Sequence, residues 1–132
     1  MKTVPRISET EWEIMQVLWS KSPQSSGEIF AALAALDSTW HPKTAQTMLN
    51  RLVTKKAVGF TKEGRAYLYH PLVTETECVT AASESFLDRV FGGSLAPMLA
   101  HFARHRKLSA ADARELRRLL KEGATGSGKP KP

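Results

Sequence analysis

The sequence predicts a mainly α-helical protein carrying one small β-hairpin. Three observations carry that expectation. Capping-box tetrads recur ahead of stretches with helical apolar spacing, one such stretch contains no acid, and two β-prone segments flank a glycine-containing turn. The length of 132 residues fits one compact domain or two small ones, and an apolar content of 42% is enough for an ordinary core.

Ser8-Glu9-Thr10-Glu11 is the first capping box, in which the serine side chain and the glutamate satisfy each other's free amides. It predicts a helix to about Trp19 that turns Trp12, Met15, Leu18 and Trp19 inward, and Ser22-Pro23 ends it. Ser25 with Glu28 opens a second, short helix with Ile29, Phe30, Leu33 and Leu36 inward, broken at Asp37-Ser38-Thr39.

The stretch from His41 to Lys56 organises the rest. Pro42 suits a first helical turn, where its missing N–H would go unused. At about 100° per residue, Ala45, Met48, Leu49, Leu52 and Val53 fall on one side. Lys43, Thr47, Asn50 and Thr54 fall opposite, with Gln46 and Arg51 on the flanks. An ordinary surface helix mixes acids with bases, and this one has no acid at all. Cations for phosphates and amides and hydroxyls for base edges are what reading a major groove requires. Lys43, Thr44, Gln46, Thr47, Asn50, Arg51 and Lys55 are therefore the expected DNA contacts of this helix. Three helices on short connections, the third basic, make a helix-turn-helix.

Residues 57–61 and 66–72 are β-prone and enclose Lys62-Glu63-Gly64-Arg65, which predicts a hairpin with a basic tip. Placed directly after a recognition helix it reads as a wing, with Lys62 and Arg65 along the adjacent DNA backbone or minor groove. The alternative for the hairpin is a sheet edge protected by charge.

Thr74-Glu75-Thr76-Glu77 is a third capping box, opening a long helix that stops at Gly92-Gly93. Val79, Ala82, Phe86, Val90 and Phe91 lie along it at helical spacing. Ser94 opens a helix bearing Leu95, Met98, Leu99, Phe102 and Ala103, and Ser109 with Asp112 caps a last one bearing Ala113, Leu116, Leu119 and Leu120. These stripes exceed what short helices bury alone, so a second copy of the chain is the expected partner. The expected dimer contacts are Phe86, Val90, Leu95 and Leu99 with Phe102, Leu116, Leu119 and Leu120. The expected organisation is a winged helix-turn-helix DNA-binding domain over 1–73, a helical dimerisation region over 74–122 and a disordered tail over 123–132 rich in Gly, Pro, Lys and Ser. A two-fold dimer favours an inverted-repeat operator of double-stranded DNA with half-sites about 10 base pairs apart.

Charge follows the same division. The formal +6 resolves into −2 over residues 1–39, +5 over 40–73 and +3 over 74–132, so the surplus centres on the basic helix and hairpin. The lone Cys78 points to a reducing compartment and reads as a small buried apolar residue. No apolar run reaches the ~20 residues of a membrane span, and the first residues lack a secretory apolar core. A cytoplasmic protein is expected. His101 and His105 are four apart but lack the intervening Glu of a zinc-protease motif, so they read as solvated helix residues. No nucleophile elbow, phosphate loop or paired-carboxylate arrangement occurs. Neither an enzyme nor a metal or cofactor site is expected. The alternatives to a DNA-binding repressor are one induced by a metal or other ligand and a protein-interaction scaffold that does not bind DNA.

Several segments, in order, resemble the BlaI/MecI/CopY family of bacterial repressors, most closely its penicillinase-repressor branch. They include Ile7-Ser8-Glu9, Glu11-Trp12-Glu13, Val17-Leu18-Trp19, Pro42-Lys43-Thr44 and Leu49-Asn50-Arg51-Leu52-Val53. Glu63-Gly64-Arg65-Ala66-Tyr67-Leu68-Tyr69, Phe86-Leu87-Asp88-Arg89, Phe91-Gly92-Gly93-Ser94-Leu95 and Glu115-Leu116-Arg117-Arg118-Leu119-Leu120 continue the resemblance, which spans roughly residues 7–120. It implies a homodimeric winged-helix repressor on inverted repeats of the TACA/TGTA type near resistance genes. It also implies, as a partner, a membrane-bound sensor metalloprotease that responds to β-lactam and triggers cleavage of the repressor. The cut corresponds to His101-Phe102, with His101 where the best-known members carry Asn, and His41 stands where a Ser or similar N-cap is common. The paired C-terminal cysteines of the copper-sensing branch do not occur.

Overall fold

The computed structural model describes residues 4–126. Helix α1 (Glu9–Ser20) is followed by strand β1 (Gln24–Ser25), helix α2 (Ser26–Leu36) and helix α3 (Pro42–Thr54). Strands β2 (Val58–Glu63) and β3 (Ala66–Pro71) come next, then helices α4 (Glu75–Phe91), α5 (Leu95–Arg104) and α6 (Ala110–Gly126). Mainly helical, with a winged helix-turn-helix at its N-terminal end, the fold is of the class the sequence predicts.

The capping boxes form as written. Ser8 Oγ accepts from the Glu11 amide at 3.1 Å and Ser25 Oγ from the Glu28 amide at 3.2 Å, each glutamate returning a bond to the serine's own N–H. Thr74 with Glu77 and Ser109 with Asp112 repeat the device.

The hairpin carries a third strand that sequence reading did not find. The sheet order is β1-β3-β2, antiparallel throughout, with Gln24 opposite Tyr69 and Ser25 opposite Leu68. Two residues are too short to show a period. Gln24 is held there by its buried amide, which donates to the Val17 carbonyl at 3.1 Å and also to that of Lys21.

The core of the first unit joins Ile14, Met15 and Leu18 of α1, Ile29 and Leu33 of α2, and Leu49 and Leu52 of α3. On α1 the inward stripe is rotated from the expected one. Ile14 and Val17 join Met15 and Leu18 inside, while Trp12 and Trp19 pack edge to face at 5.5 Å on the core's rim. The Trp19 indole donates to the Val73 carbonyl at 2.9 Å and the Trp40 indole to Glu13 at 3.3 Å; a half-buried tryptophan keeps its N–H paired this way. Leu36, expected inward, is 74% exposed at the final residue of α2, while Leu33 of the same turn is buried.

The chain divides into two compact units between Ser85 and Phe86, inside α4, rather than at the expected boundary of 73 and 74. The start of α4 belongs with the first unit because Val73 and Cys78 are buried in its core. In the second unit Phe86 and Phe91 meet at 5.9 Å and His101 stacks on His105 at 4.2 Å, yet among the described residues no side chain is fully buried. Helix α6 continues through Gly123 to Gly126, so the tail expected to be disordered from 123 is helical at its start, and residues 127–132 lie outside the described residues. No helix is long and apolar enough to cross a membrane among the described residues.

Candidate nucleic-acid interface

Helix α3 is fixed from below by Ala45, Leu49 and Leu52, which are fully buried, and that sets which residues face away. Lys43, Thr44, Thr47, Asn50, Arg51 and Thr54 are exposed and Gln46 is half-buried. His41 proves a working N-cap: its Nδ1 accepts from the Lys43 amide at 3.2 Å, and Pro42 occupies the first helical position. The first turn holds no acid.

The polar ridge is preorganised by its own hydrogen bonds. Thr47 Oγ1 donates to the Lys43 carbonyl at 2.9 Å, which leaves the hydroxyl's lone pairs outward as acceptors. Gln46 Nε2 donates to Asn50 Oδ1 at 2.9 Å, which leaves both amide hydrogens of Asn50 for another partner.

Lys55 behaves differently from the rest of the expected contact set. One helical step beyond Thr54, it turns back to the start of α1, where its ammonium donates to Glu11 and, at 2.7 Å, to the Arg6 carbonyl. Glu11 is 1% exposed. Burial pushes its carboxyl up, but the Lys55 ammonium and the Ser8 amide and hydroxyl outweigh burial and hold it below the usual carboxylate range. Lys55 thus spends its charge on the fold, whereas its neighbour Lys56 is exposed, with a left-handed φ of 67°. Sequence reading passed over Lys56; adjacent lysines look alike until the ion pair across the fold separates them.

Strands β2 and β3 pair from Val58 opposite Pro71 to Glu63 opposite Ala66, closing on the two-residue turn Gly64-Arg65. Gly64 takes a φ of +64°, which a glycine adopts without the clash a Cβ would bring. Lys62 and Arg65 are both exposed at this tip, and the Lys62 ammonium lies 5.9 Å from the centre of the Tyr67 ring. Phe60 contacts Tyr67 and Tyr69 at 5.1 and 5.9 Å, so one face of the hairpin is aromatic. That face borders α3 across a groove of about 320 Å³ lined by Asn50, Val53 and Thr54 on one side and the three rings on the other. A second depression of about 360 Å³ lies against Thr47, Asn50, Arg51, Thr54 and Lys55. Asn50 and Thr54 stand between the two, as a ridge does.

An acid-free helix, fixed by its buried face and flanked by a basic-tipped hairpin, defines a winged helix-turn-helix protein of the DNA-binding class. The chain belongs to the penicillinase repressor family, a family of DNA-binding transcriptional repressors, whose model matches residues 7–122. It is 40% identical over 122 residues to the penicillinase repressor of Bacillus licheniformis, covering 92% of this chain and 94% of that one. To the methicillin resistance regulatory protein MecI of Staphylococcus aureus (strain N315) it is 30% identical over 114 residues, 86% of this chain and 92% of that one. Among solved structures it is similar to the DNA-binding domain of the repressor BlaI, at a TM-score of 0.52 and 43% identity over 58% of this chain and 93% of that one. Monomeric B. licheniformis BlaI in complex with the blaP half-operator matches at a TM-score of 0.50, with the same identity and coverage.

Proposed function

We propose that this chain is a homodimeric transcriptional repressor that binds inverted-repeat operators of β-lactam-resistance or related genes and is released by proteolytic cleavage in its C-terminal half. The observation that carries the reading is the exposed, acid-free ridge of Lys43, Thr47, Asn50 and Thr54 beside the basic hairpin tip. Asn50, Thr47 and Gln46 read base edges in the major groove. Lys43, Thr44 and Arg51 hold the phosphates beside them, and Lys62 and Arg65 hold the backbone at the wing. The complex of a monomeric BlaI relative with a half-operator supports the reading that one winged unit takes one half-site.

Dimerisation is supported by the second unit's lack of any fully buried side chain among the described residues. Phe86, Val90, Leu95, Leu119 and Leu120 are exposed, and Leu99, Phe102 and Leu116 are only half-buried. Apolar surface on this scale is stabilised by a matching surface, and a second copy supplies one. Pairing also joins two weak half-site contacts, so affinity rises through effective concentration without any new contact. Cleavage at His101-Phe102 would undo that gain and leave each winged unit folded. The partner that the resemblance to penicillinase repressors implies for this cut is a membrane-bound sensor metalloprotease.

Footprinting of the purified chain on its own upstream region, with a sedimentation measurement of its mass, tests the reading. A protected inverted repeat and a dimer at micromolar concentration are expected. A monomer that protects no DNA at low ionic strength overturns it.

A further inference from the structure

We propose that the corner joining α5 to α6 is a second phosphate-binding surface, which takes the backbone of duplex DNA flanking the operator; this rests on the repressor reading above. Arg104, His105, Arg106 and Lys107 are consecutive there and all exposed. No acid occurs between Asp88 and Asp112, and among the described residues Arg104, Arg106 and Lys107 enter no ion pair.

The backbone at this corner gives the cluster a meaning that composition alone does not. Helix α5 ends with the Arg106 amide donating to the Ala103 carbonyl at 3.3 Å and the Lys107 amide to that of Phe102 at 2.8 Å. This pair of bonds requires a left-handed residue, and Arg106 supplies it at a φ of 58°. Glycine takes that conformation freely, whereas a residue with a Cβ is strained in it. A strained arginine where glycine would end the helix more comfortably points to a use for its charge.

Helix α3 ends in the same way. The Lys56 amide donates to Val53 and the Ala57 amide to Leu52, both at 3.0 Å, with the exposed Lys56 at the left-handed position. The helix assigned to the groove and the helix at the basic corner thus both place a cation where glycine is usual. At the α5 corner His105 serves closure instead: its Nδ1 lies 2.8 Å from the His101 carbonyl and its ring stacks on that of His101. Arg104, Arg106 and Lys107 are the charges left over.

A duplex offers such cations a regular phosphate lattice with no sequence requirement. Because both units lie on one chain, binding of the winged unit raises the effective concentration of the same duplex for the corner, so contacts too weak to act alone still contribute.

The test compares two duplexes. One carries only the footprinted operator, and the other extends it by about 10 base pairs, one helical turn, on each side. The full chain should bind the longer duplex several-fold more tightly at low salt. Its log–log salt dependence should be steeper by about 0.9 for each added phosphate contact. R104A/R106A/K107A should bind both duplexes alike, match the unaltered chain on the short one and remain a dimer. R106G should lose part of the gain while melting at a higher temperature, because the strained residue is gone. Equal binding of the two duplexes by the unaltered chain, or a full gain retained by R106G, overturns the proposal. So does a triple variant whose affinity falls equally on both duplexes. Charge-dependent capture by phosphatidylglycerol vesicles without any gain from the flanks would assign the corner to a membrane surface and overturn it likewise. Failure to bind even the short duplex would instead overturn the repressor reading.

Discussion

The ammonium of Lys55 donates to the buried carboxylate of Glu11, tying the residue that ends α3 to the first turn of α1. The same carboxylate completes the capping box with Ser8, and the lysine also holds the Arg6 carbonyl. One side chain therefore links the end of α3 to the start of α1 and to the segment that leads into it.

Glu11→Ala should lower stability by about 1–3 kcal/mol, since it removes a cap and deprives a partly buried ammonium of its counter-ion. Urea unfolding followed by circular dichroism measures it. Lys55→Ala should cost a similar amount yet leave the salt dependence of DNA binding unchanged, because its charge is already neutralised within the fold. A flattened salt dependence in Lys55→Ala would return this residue to the phosphate contacts.

The same pair sets an acid sensitivity. The Glu11 carboxyl is depressed in the folded state, so its contribution is complete above the ordinary carboxylate range and is lost as pH falls through its lowered pKa. Unfolding free energy measured between pH 7 and pH 3 should fall less steeply in Glu11→Gln than in the unaltered chain. Parallel pH profiles would show that the pair contributes nothing to acid lability.

Lys43→Ala and Arg65→Ala should each flatten the log–log salt dependence of operator binding by about 0.9, and should weaken operator and random DNA alike. Titrations at several salt concentrations on both duplexes decide it. Steep discrimination between the two duplexes lost with either change would move that residue from phosphate to base.

Asn50→Ala should reduce discrimination between operator and random DNA by about 1–3 kcal/mol. Because Gln46 donates to the Asn50 carbonyl oxygen, Gln46→Ala and Asn50→Ala should be non-additive in a double-mutant cycle. Strict additivity would mean that the two amides act separately on the DNA.

Leu116→Asp should shift the chain towards monomer and lower operator affinity, while the melting of a fragment spanning residues 1–85 is the reference for an intact winged unit. Sedimentation and calorimetry on the full variant supply both readings. A tight Leu116→Asp dimer that still binds operator would remove the second unit from dimerisation.

What could be read from the sequence was what is decided within a few residues. Ser8 with Glu11, Ser25 with Glu28 and Thr74 with Glu77 are three apart, so the helix starts were visible without the fold. The stripe of α3 was equally visible, because Ala45, Leu49 and Leu52 repeat at the helical period within a helix of 13 residues. Contacts between residues far apart in the chain were not visible. Gln24 pairs with Tyr69 and Lys55 with Glu11, and no local pattern marks either. The tryptophans misled for a different reason: large rings on α1 look like core, but Ile14 and Val17 fill the interior and the rings close its edge.

The bond between His101 and Phe102 lies within the last turn of α5, with Phe102 half-buried and its carbonyl engaged by the Lys107 amide. A peptidase works on unwound chain, so hydrolysis here would draw only on molecules whose α5 has already come undone. The firmness of one short helix would then act as a clock, fixing how long repression outlasts the signal.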